Sequence, residues 1–171
     1  ANSIQAQKAM QDKLKAMSQE LKNKINDVAL TWNTPVFEQN LQTLKDLVAE
    51  QQNIIGYNNK DDIENAQREA TSKLFSTVIS GDIQNKRYGV ARRALTEHAD
   101  DLDGIDRIRL MNALTASMTS DAEEKQRQAH SDAMELYRSL KQSARDYMDN
   151  GQFDLGKKAN DQANAIGARL G

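Results

Sequence analysis

Four basic residues lie close together between residues 80 and 98, and proteins use basic side chains to contact nucleic-acid phosphates. They are Lys86, Arg87, Arg92 and Arg93. At about 100° per helical residue they spread around the helix axis and form no single basic stripe. Acidic residues follow directly, between Asp100 and Asp106. We therefore interpret this segment as a solvated helix face, in which Arg93 can pair with Glu97, and expect no specific nucleic-acid site.

The turn that follows, Asp100–Gly104, crowds carboxylates around a glycine as calcium-binding loops do. With Gly104 at the sixth position of such a loop, the first position is Ala99 and the twelfth is Leu110. A calcium loop needs an oxygen ligand at the first position and Glu at the twelfth. We interpret the turn as a helix stop followed by an N-cap and expect no metal site.

No residues are spaced as a catalytic set. The two histidines, His98 and His130, do not form a metal-binding motif, and His98 falls in the last turn of a predicted helix, where imidazole suits the helix dipole. No Ser-His-Asp set, phosphate-binding loop or dinucleotide turn can be assembled. The absence of cysteine excludes disulfides, thiolate zinc sites and cysteine nucleophiles. We expect a non-enzymatic protein without catalytic residues, cofactor or metal, in which the single Trp32 plugs a helical hairpin.

The bulk composition is typical of a helix-rich protein. The 171 residues include one Pro and eight Gly, and 23 basic against 25 acidic side chains give a net charge of −2, so no global field favours nucleic acid or anionic membrane. No apolar run reaches the roughly 18 to 20 residues of a membrane span, and the N-terminus has no secretory pattern. The chain begins Ala-Asn-Ser without an initiator Met, so we expect a fragment of a longer protein.

Apolar residues recur at helical spacing almost throughout, which predicts an all-α fold. We expect about seven helices in antiparallel hairpins, arranged as an elongated bundle or an irregular TPR-like repeat. Residues 1–171 would form a single module, with a long helix at 1–31, helical hairpins at 35–118 and a C-terminal hairpin at 120–168. The apolar stripe of the first helix needs a partner helix.

Capping signals predict where the helices begin and end. The predicted starts are Pro35, then Asp61 or Asp62, with Glu64 as the capping partner of Asp61, and the capping box Ser120-Asp121-Ala122-Glu123. The predicted stops are Gly56, Ser80-Gly81-Asp82 and Asn150-Gly151. In the helix after the acidic turn, the predicted buried side carries Ile105, Ile108, Met111 and Leu114.

Two segments 65 residues apart share a pattern. Residues 86–94 and 151–159 each carry an aromatic residue, then an apolar residue, a small residue, two bases and Ala. An aromatic residue three positions before a small one lets the second helix of a hairpin approach the first closely. The match ends where Leu95 aligns with Asn160, so we expect shared packing rather than a regular solenoid.

The segment Phe37–Thr115, under half of the chain, resembles the internal virion proteins, or ejection proteins, of tailed bacteriophages. The resemblance rests on the break Ile54-Ile55-Gly56-Tyr57, the acidic start and long helix at residues 61–80, and a hairpin and turn that follow. The hairpin and turn carry Gly81, Asp82, Tyr88, Ala91, Leu95, Asp101 to Asp103 and Leu110.

The resemblance implies a long helical protein that is packaged inside the capsid and passes into the host envelope to extend a channel for the genome. Some members cleave peptidoglycan with another domain, but the Glu-Ser and Gly-Leu-Met-Gln signatures of lytic transglycosylases are absent here. A structural module that associates with itself or with other virion proteins is therefore expected. Two alternatives are an extracytoplasmic sensor or adhesin bundle and a scaffold domain of a larger peptidoglycan-cleaving enzyme.

Overall fold

The computed structural model describes residues 2–171, and within them the chain is all-helical. The described residues form six α-helices and one 3-10 turn, Ala99–Asp101, where about seven helices were expected. The helices are α1 (Asn2–Ala29), α2 (Phe37–Ile55), α3 (Lys60–Gln84), α4 (Tyr88–Glu97), α5 (Gly104–Asp149) and α6 (Phe153–Leu170). The prediction of an all-α fold is confirmed.

The chain forms two compact units, of which the first ends at Ser117 and the second is Met118–Gly171. In the first unit, α1 to α4 and the start of α5 surround a core of large side chains. Those that are almost fully buried include Val28, Leu44, Leu74, Phe75, Ile79 and Leu110. A core of such large side chains is enclosed when three or more helices pack around it.

The second unit is a hairpin of two antiparallel helices, the remainder of α5 and α6. Its buried residues are all small: Ala144, Gly156, Ala159 and Ala163. The boundary between the units lies close to residue 120, where the sequence predicted the start of a C-terminal hairpin. No helix break marks that boundary, because α5 is one continuous helix of 46 residues.

The apolar stripe of α1 is covered over only part of its length. Ile25 and Val28 are buried and Leu21 is half-buried, whereas Met10 and Leu14 are exposed. The Gln51 side chain of α2 donates a hydrogen bond to the Met17 carbonyl at 2.9 Å. The predicted partner helix is therefore present for the C-terminal half of the stripe.

Two predicted helix starts are displaced along the chain. Pro35 lies in the turn before α2, which begins at Phe37. The N-cap of α3 is Asn59, whose side-chain oxygen accepts a hydrogen bond from the Asp62 backbone N–H at 2.9 Å. The capping role predicted for Asp61 is thus wrong, since Asn59 supplies the acceptor one residue before the helix.

Two predicted helix breaks are wrong. The stop at Ser80-Gly81-Asp82 does not form, and α3 continues to Gln84 because Asp82 and Ile83 are buried against the core. The capping box at Ser120 lies inside α5. Such a box begins a helix only where the preceding helix has ended, and residues 105–119 contain no Gly or Pro to end it.

The turn between α3 and α4 is a Schellman motif, in which two backbone N–H groups bond back to the end of the first helix. Arg87 N donates to the Asp82 carbonyl at 2.8 Å, and Lys86 N donates to the Ile83 carbonyl at 3.0 Å. The left-handed position belongs to Lys86, with φ of 62°. A non-glycine residue there is unusual and costs conformational energy.

The turn between α5 and α6 has the same hydrogen bonds 65 residues later. Gln152 N donates to the Tyr147 carbonyl at 2.8 Å, and Gly151 N donates to the Met148 carbonyl at 3.1 Å. Gly151 takes the left-handed position, with φ of 77°. The two segments that share a sequence pattern therefore share a backbone geometry at the turn.

The buried face of α5 differs from the predicted one. Leu110 and Leu114 are buried, but Ile105 is 82% exposed, and Ile108 and Met111 are also exposed. Leu110 and Leu114 of α5 therefore face the core. Of the four side chains on the predicted side, Leu114 is buried and the other three are exposed.

Candidate functional site

The basic segment is anchored by a buried carboxylate. Asp82 is only 1% exposed, and its Oδ1 accepts a hydrogen bond from Arg87 Nε at 3.1 Å and lies 3.0 Å from Arg87 Nη2 in an ion pair. The other carboxylate oxygen, Oδ2, accepts from the Trp32 indole N–H at 2.9 Å. A buried charge is stable only when it is paired and hydrogen-bonded, and Arg87 and Trp32 supply both conditions. Arg87, the N-cap residue of α4, thus connects the start of α4 to Asp82 in α3.

An aromatic cluster lies next to this carboxylate. Trp32 packs edge-on against Phe37 at 5.1 Å and against Phe75 at 5.9 Å between ring centroids. Phe75 in turn stacks on the His98 imidazole at 4.2 Å. These are the offset and edge-to-face arrangements that aromatic rings prefer. Trp32 thus closes the junction of α1, α2 and α3, in agreement with its interpretation as a hairpin plug.

His98 also contacts the acidic turn. Its Nδ1 lies 3.0 Å from Asp101 Oδ2. In the same turn, Asp103 Oδ1 accepts a hydrogen bond from the Asp106 backbone N–H at 2.7 Å, so Asp103 is the N-cap of α5, as the sequence indicated. Ser72 joins the turn to α3, since its hydroxyl donates to Asp106 Oδ2 and accepts from the Asp103 N–H, both at 2.9 Å.

The other residues that the sequence marks as candidates are exposed. His130 is exposed on α5. Arg93 and Glu97 are both exposed, and the ion pair that their spacing allows does not form. Among residues 2–171, no group of three or more His, Cys, Asp or Glu side chains is arranged to hold a metal ion. No helix in the same range is long and apolar enough to cross a membrane.

The sequence pattern does not reveal Asp82 as the most buried polar residue of the described chain, because it predicts a helix stop at that position. Two signals could have identified it. A single Trp needs a hydrogen-bond acceptor for its N–H when it is packed in a core, and Arg87 follows Asp82 five residues later across the turn. The sequence alone does not show that Trp32 and Asp82, 50 positions apart in the chain, are in contact.

The candidate functional surfaces are therefore apolar helix faces. In the first unit, the N-terminal half of α1 carries Ile4, Met10 and Leu14, which are exposed. The start of α5 carries Ile105, Ile108 and Met111, and the second unit exposes Leu136, Met148, Phe153 and Leu155. Exposed apolar stripes of this kind are typical of surfaces that contact other proteins.

Comparison with known proteins does not assign the chain to a family. No protein-family model matches the sequence, and neither the curated proteins nor the solved structures contain a significant match. The exposed apolar helix faces are therefore the features of the chain that bear on its function.

Proposed function

We propose that this chain is a non-enzymatic assembly module that binds other proteins through apolar helix faces. The observation that carries the proposal is the stripe of α1. Its C-terminal half, with Ile25 and Val28, is covered by other helices of the chain, and its N-terminal half continues in the same direction with Met10 and Leu14 exposed. An apolar stripe at helical spacing stabilises its helix when a second helix covers the stripe and excludes water.

The setting that we propose is the particle of a tailed bacteriophage. The support is the resemblance of Phe37–Thr115 to internal virion proteins, which work through surfaces and association. In this proposal the helical hairpins form an elongated bundle or a TPR-like arrangement, the module lies inside the capsid, and its partners are copies of itself or neighbouring virion proteins. It would accompany the genome into the host envelope.

Quantitative mass spectrometry of purified phage particles tests this proposal. We expect peptides of the chain in the particles, on a longer polypeptide. The variant Met10→Glu with Leu14→Glu places two charges in the α1 stripe and is expected to reduce incorporation into particles by about tenfold or more, since buried unpaired charges are costly.

A matched control carries the same two charges on the opposite face of α1, as Gln5→Glu with Ala9→Glu. This control should enter particles normally, because both positions are exposed and lie away from the stripe. Absence of the wild-type chain from particles, or equal incorporation of the two variants, would refute the proposed function.

A further inference from the structure

The hairpin of the second unit leaves its large apolar side chains uncovered. Leu136 is 52% and Leu155 46% exposed, and Leu140, Tyr147, Ile166 and Leu170 are half-buried. The residues that the two helices bury between them are Ala144, Gly156, Ala159 and Ala163. Two helices that meet through small residues cannot enclose larger side chains, and a two-helix hairpin rarely contributes enough buried apolar surface to be stable alone.

The contacts between the helices fix which sides face each other. The Lys141 ammonium bonds to the Asn160 and Asn164 side chains at 2.7 and 2.8 Å, and Tyr137 lies against Gly167. These residues therefore mark the inner sides of α5 and α6. They also set the antiparallel register, in which position 141 lies level with positions 160 to 164.

Leu136, Leu155 and the half-buried apolar side chains lie on one face of this hairpin, whereas Met148 and Phe153 lie outside it. At about 100° per residue, Leu136, Leu140 and Tyr147 are roughly a quarter turn from the inner side of α5. Leu155, Ile166 and Leu170 are displaced in a similar way from the inner side of α6. Because the two helices run in opposite directions, both displacements point to the same side of the hairpin. The result is an apolar face two helices wide, which we call the hairpin face.

The rims of the hairpin face carry opposite charges. The outer edge of α5 presents Asp132 and Asp146, and the outer edge of α6 presents Lys158 and Arg169, all exposed. In the register set by Lys141, Asp132 lies level with Arg169 and Asp146 lies level with Lys158. A twofold axis parallel to the helices places α5 of one copy beside α6 of another. The same axis then brings each acidic rim to a basic rim at the matching level.

We propose that the occupant of the hairpin face is the hairpin face of a second copy of this chain. The two hairpins form an antiparallel four-helix bundle, the arrangement in which paired helices enclose large side chains. The apolar side chains of both copies fill its interior, and the pairs Asp132–Arg169 and Asp146–Lys158 form between copies at its edges. This inference rests on the proposed assembly function and deepens it by naming one partner. The hairpin face is about 27 Å long and about 20 Å wide, which is the size of a small protein–protein interface.

Analytical ultracentrifugation of the full chain over a range of concentrations is the first test. We expect a monomer–dimer equilibrium in the wild type. Leu136→Glu places a charge in the hairpin face and should weaken dimerisation by about a hundredfold. Leu30→Glu is the matched control, since Leu30 is 84% exposed in the first unit and lies outside the face. A wild-type chain that is monomeric at all concentrations would overturn the inference.

A charge exchange tests the rim pairs. Asp132→Arg and Arg169→Asp should each weaken the dimer by about tenfold, because a symmetric dimer loses the pair twice. The double variant should recover most of the wild-type affinity, since the opposite charges meet again. If the dimer affinity of the double variant is lowered by the combined effects of the two single variants, the proposed pairing is overturned.

Cysteine crosslinking tests the arrangement of the helices, since the chain has no native cysteine. Chains with Leu136→Cys, mixed with chains with Ile166→Cys, should form a disulfide between the two species on oxidation. Crosslinking of Leu136→Cys chains to one another instead would place α5 beside α5 and overturn the inference. A wild-type monomer that still enters phage particles would refute self-pairing and leave the proposed assembly function standing.

Discussion

The hairpins α3–α4 and α5–α6 turn in the same way but are stabilised differently. Each ends its first helix with the same two backbone hydrogen bonds and a left-handed residue, Lys86 in one turn and Gly151 in the other. Around the first turn lie a buried carboxylate, four aromatic rings and a core of large side chains. Around the second lie Ala and Gly, with the larger apolar residues on the outside.

The difference separates two physical contributions to a helical hairpin. The turn is a local motif, so a few residues and their backbone hydrogen bonds suffice to form it. Enclosure of large side chains needs further helices, and only the first hairpin receives them from its own unit. Two positions 65 residues apart show this contrast. Phe75 in the first hairpin is almost fully buried, and Leu140, at the equivalent position of the second hairpin, is half-buried.

The largest expected effect tests that contrast. Phe75→Ala should lower the free energy of unfolding by about 3–5 kcal/mol, because it leaves a cavity in a packed core. Leu140→Ala should cost about 1 kcal/mol at concentrations where the chain is monomeric, since the side chain is already partly solvated. Urea denaturation followed by circular dichroism measures both. Equal losses at low concentration would contradict the contrast, and a Leu140→Ala cost that rises with protein concentration would support pairing of the hairpin face.

The buried carboxylate should give the next largest effect. Asp82→Ala leaves the Trp32 N–H and Arg87 without their acceptor, and we expect a loss of about 2–4 kcal/mol in unfolding free energy. Asp82→Asn retains an acceptor for Trp32 and should lose about half as much. Thermal unfolding by calorimetry compares the two variants. Identical losses would show that the hydrogen bond to Trp32 contributes nothing.

The two left-handed positions predict effects of opposite sign. Gly151→Ala forces a Cβ into the left-handed region and should destabilise the chain by about 1–2 kcal/mol. Lys86→Gly relieves the same strain in the first turn and should be more stable than Lys86→Ala by up to about 1 kcal/mol, because both variants lose the interaction of the Lys86 side chain. Lys86→Ala is the control, because it removes the Lys side chain and keeps the strain. If Lys86→Gly is no more stable than Lys86→Ala in thermal unfolding, the left-handed geometry at Lys86 costs little.

Ser76, one turn from Ser72 in α3, gives the smallest expected change. The Ser76 hydroxyl is buried and has no hydrogen-bond partner among the described residues, so Ser76→Ala should raise the unfolding free energy by about 0.5–1 kcal/mol. Ser72→Ala should instead lower it by about 1–2 kcal/mol, because Ser72 bonds to Asp106 and to the Asp103 N–H. Chemical denaturation of both variants checks the signs, and a destabilising Ser76→Ala would reveal a partner for that hydroxyl.

Local signals allowed several features to be predicted from the sequence. Helical spacing of apolar residues predicted the all-α fold, Gly56 ends α2 with φ of 90°, and Asp103 caps α5. The pattern shared by residues 86–94 and 151–159 accompanies two turns with the same hydrogen bonds. Each of these features depends on a few neighbouring residues, so the sequence contains all of the information that it needs.

Only the tertiary structure decided which of the predicted helix ends are real and which helix faces are covered. Ser80-Gly81-Asp82 and Ser120 carry the residues of helix ends, yet α3 and α5 continue through them. A cap contributes about 1 kcal/mol, which is less than burial of one large side chain such as Ile83 can contribute to continuing a helix. Helical spacing likewise marked Ile105, Ile108 and Met111 as apolar, but the neighbouring helices cover Leu110 and Leu114 instead. The sequence therefore determined the local geometry of the helices and turns, whereas burial depended on contacts between residues far apart in the chain, such as Trp32 and Asp82.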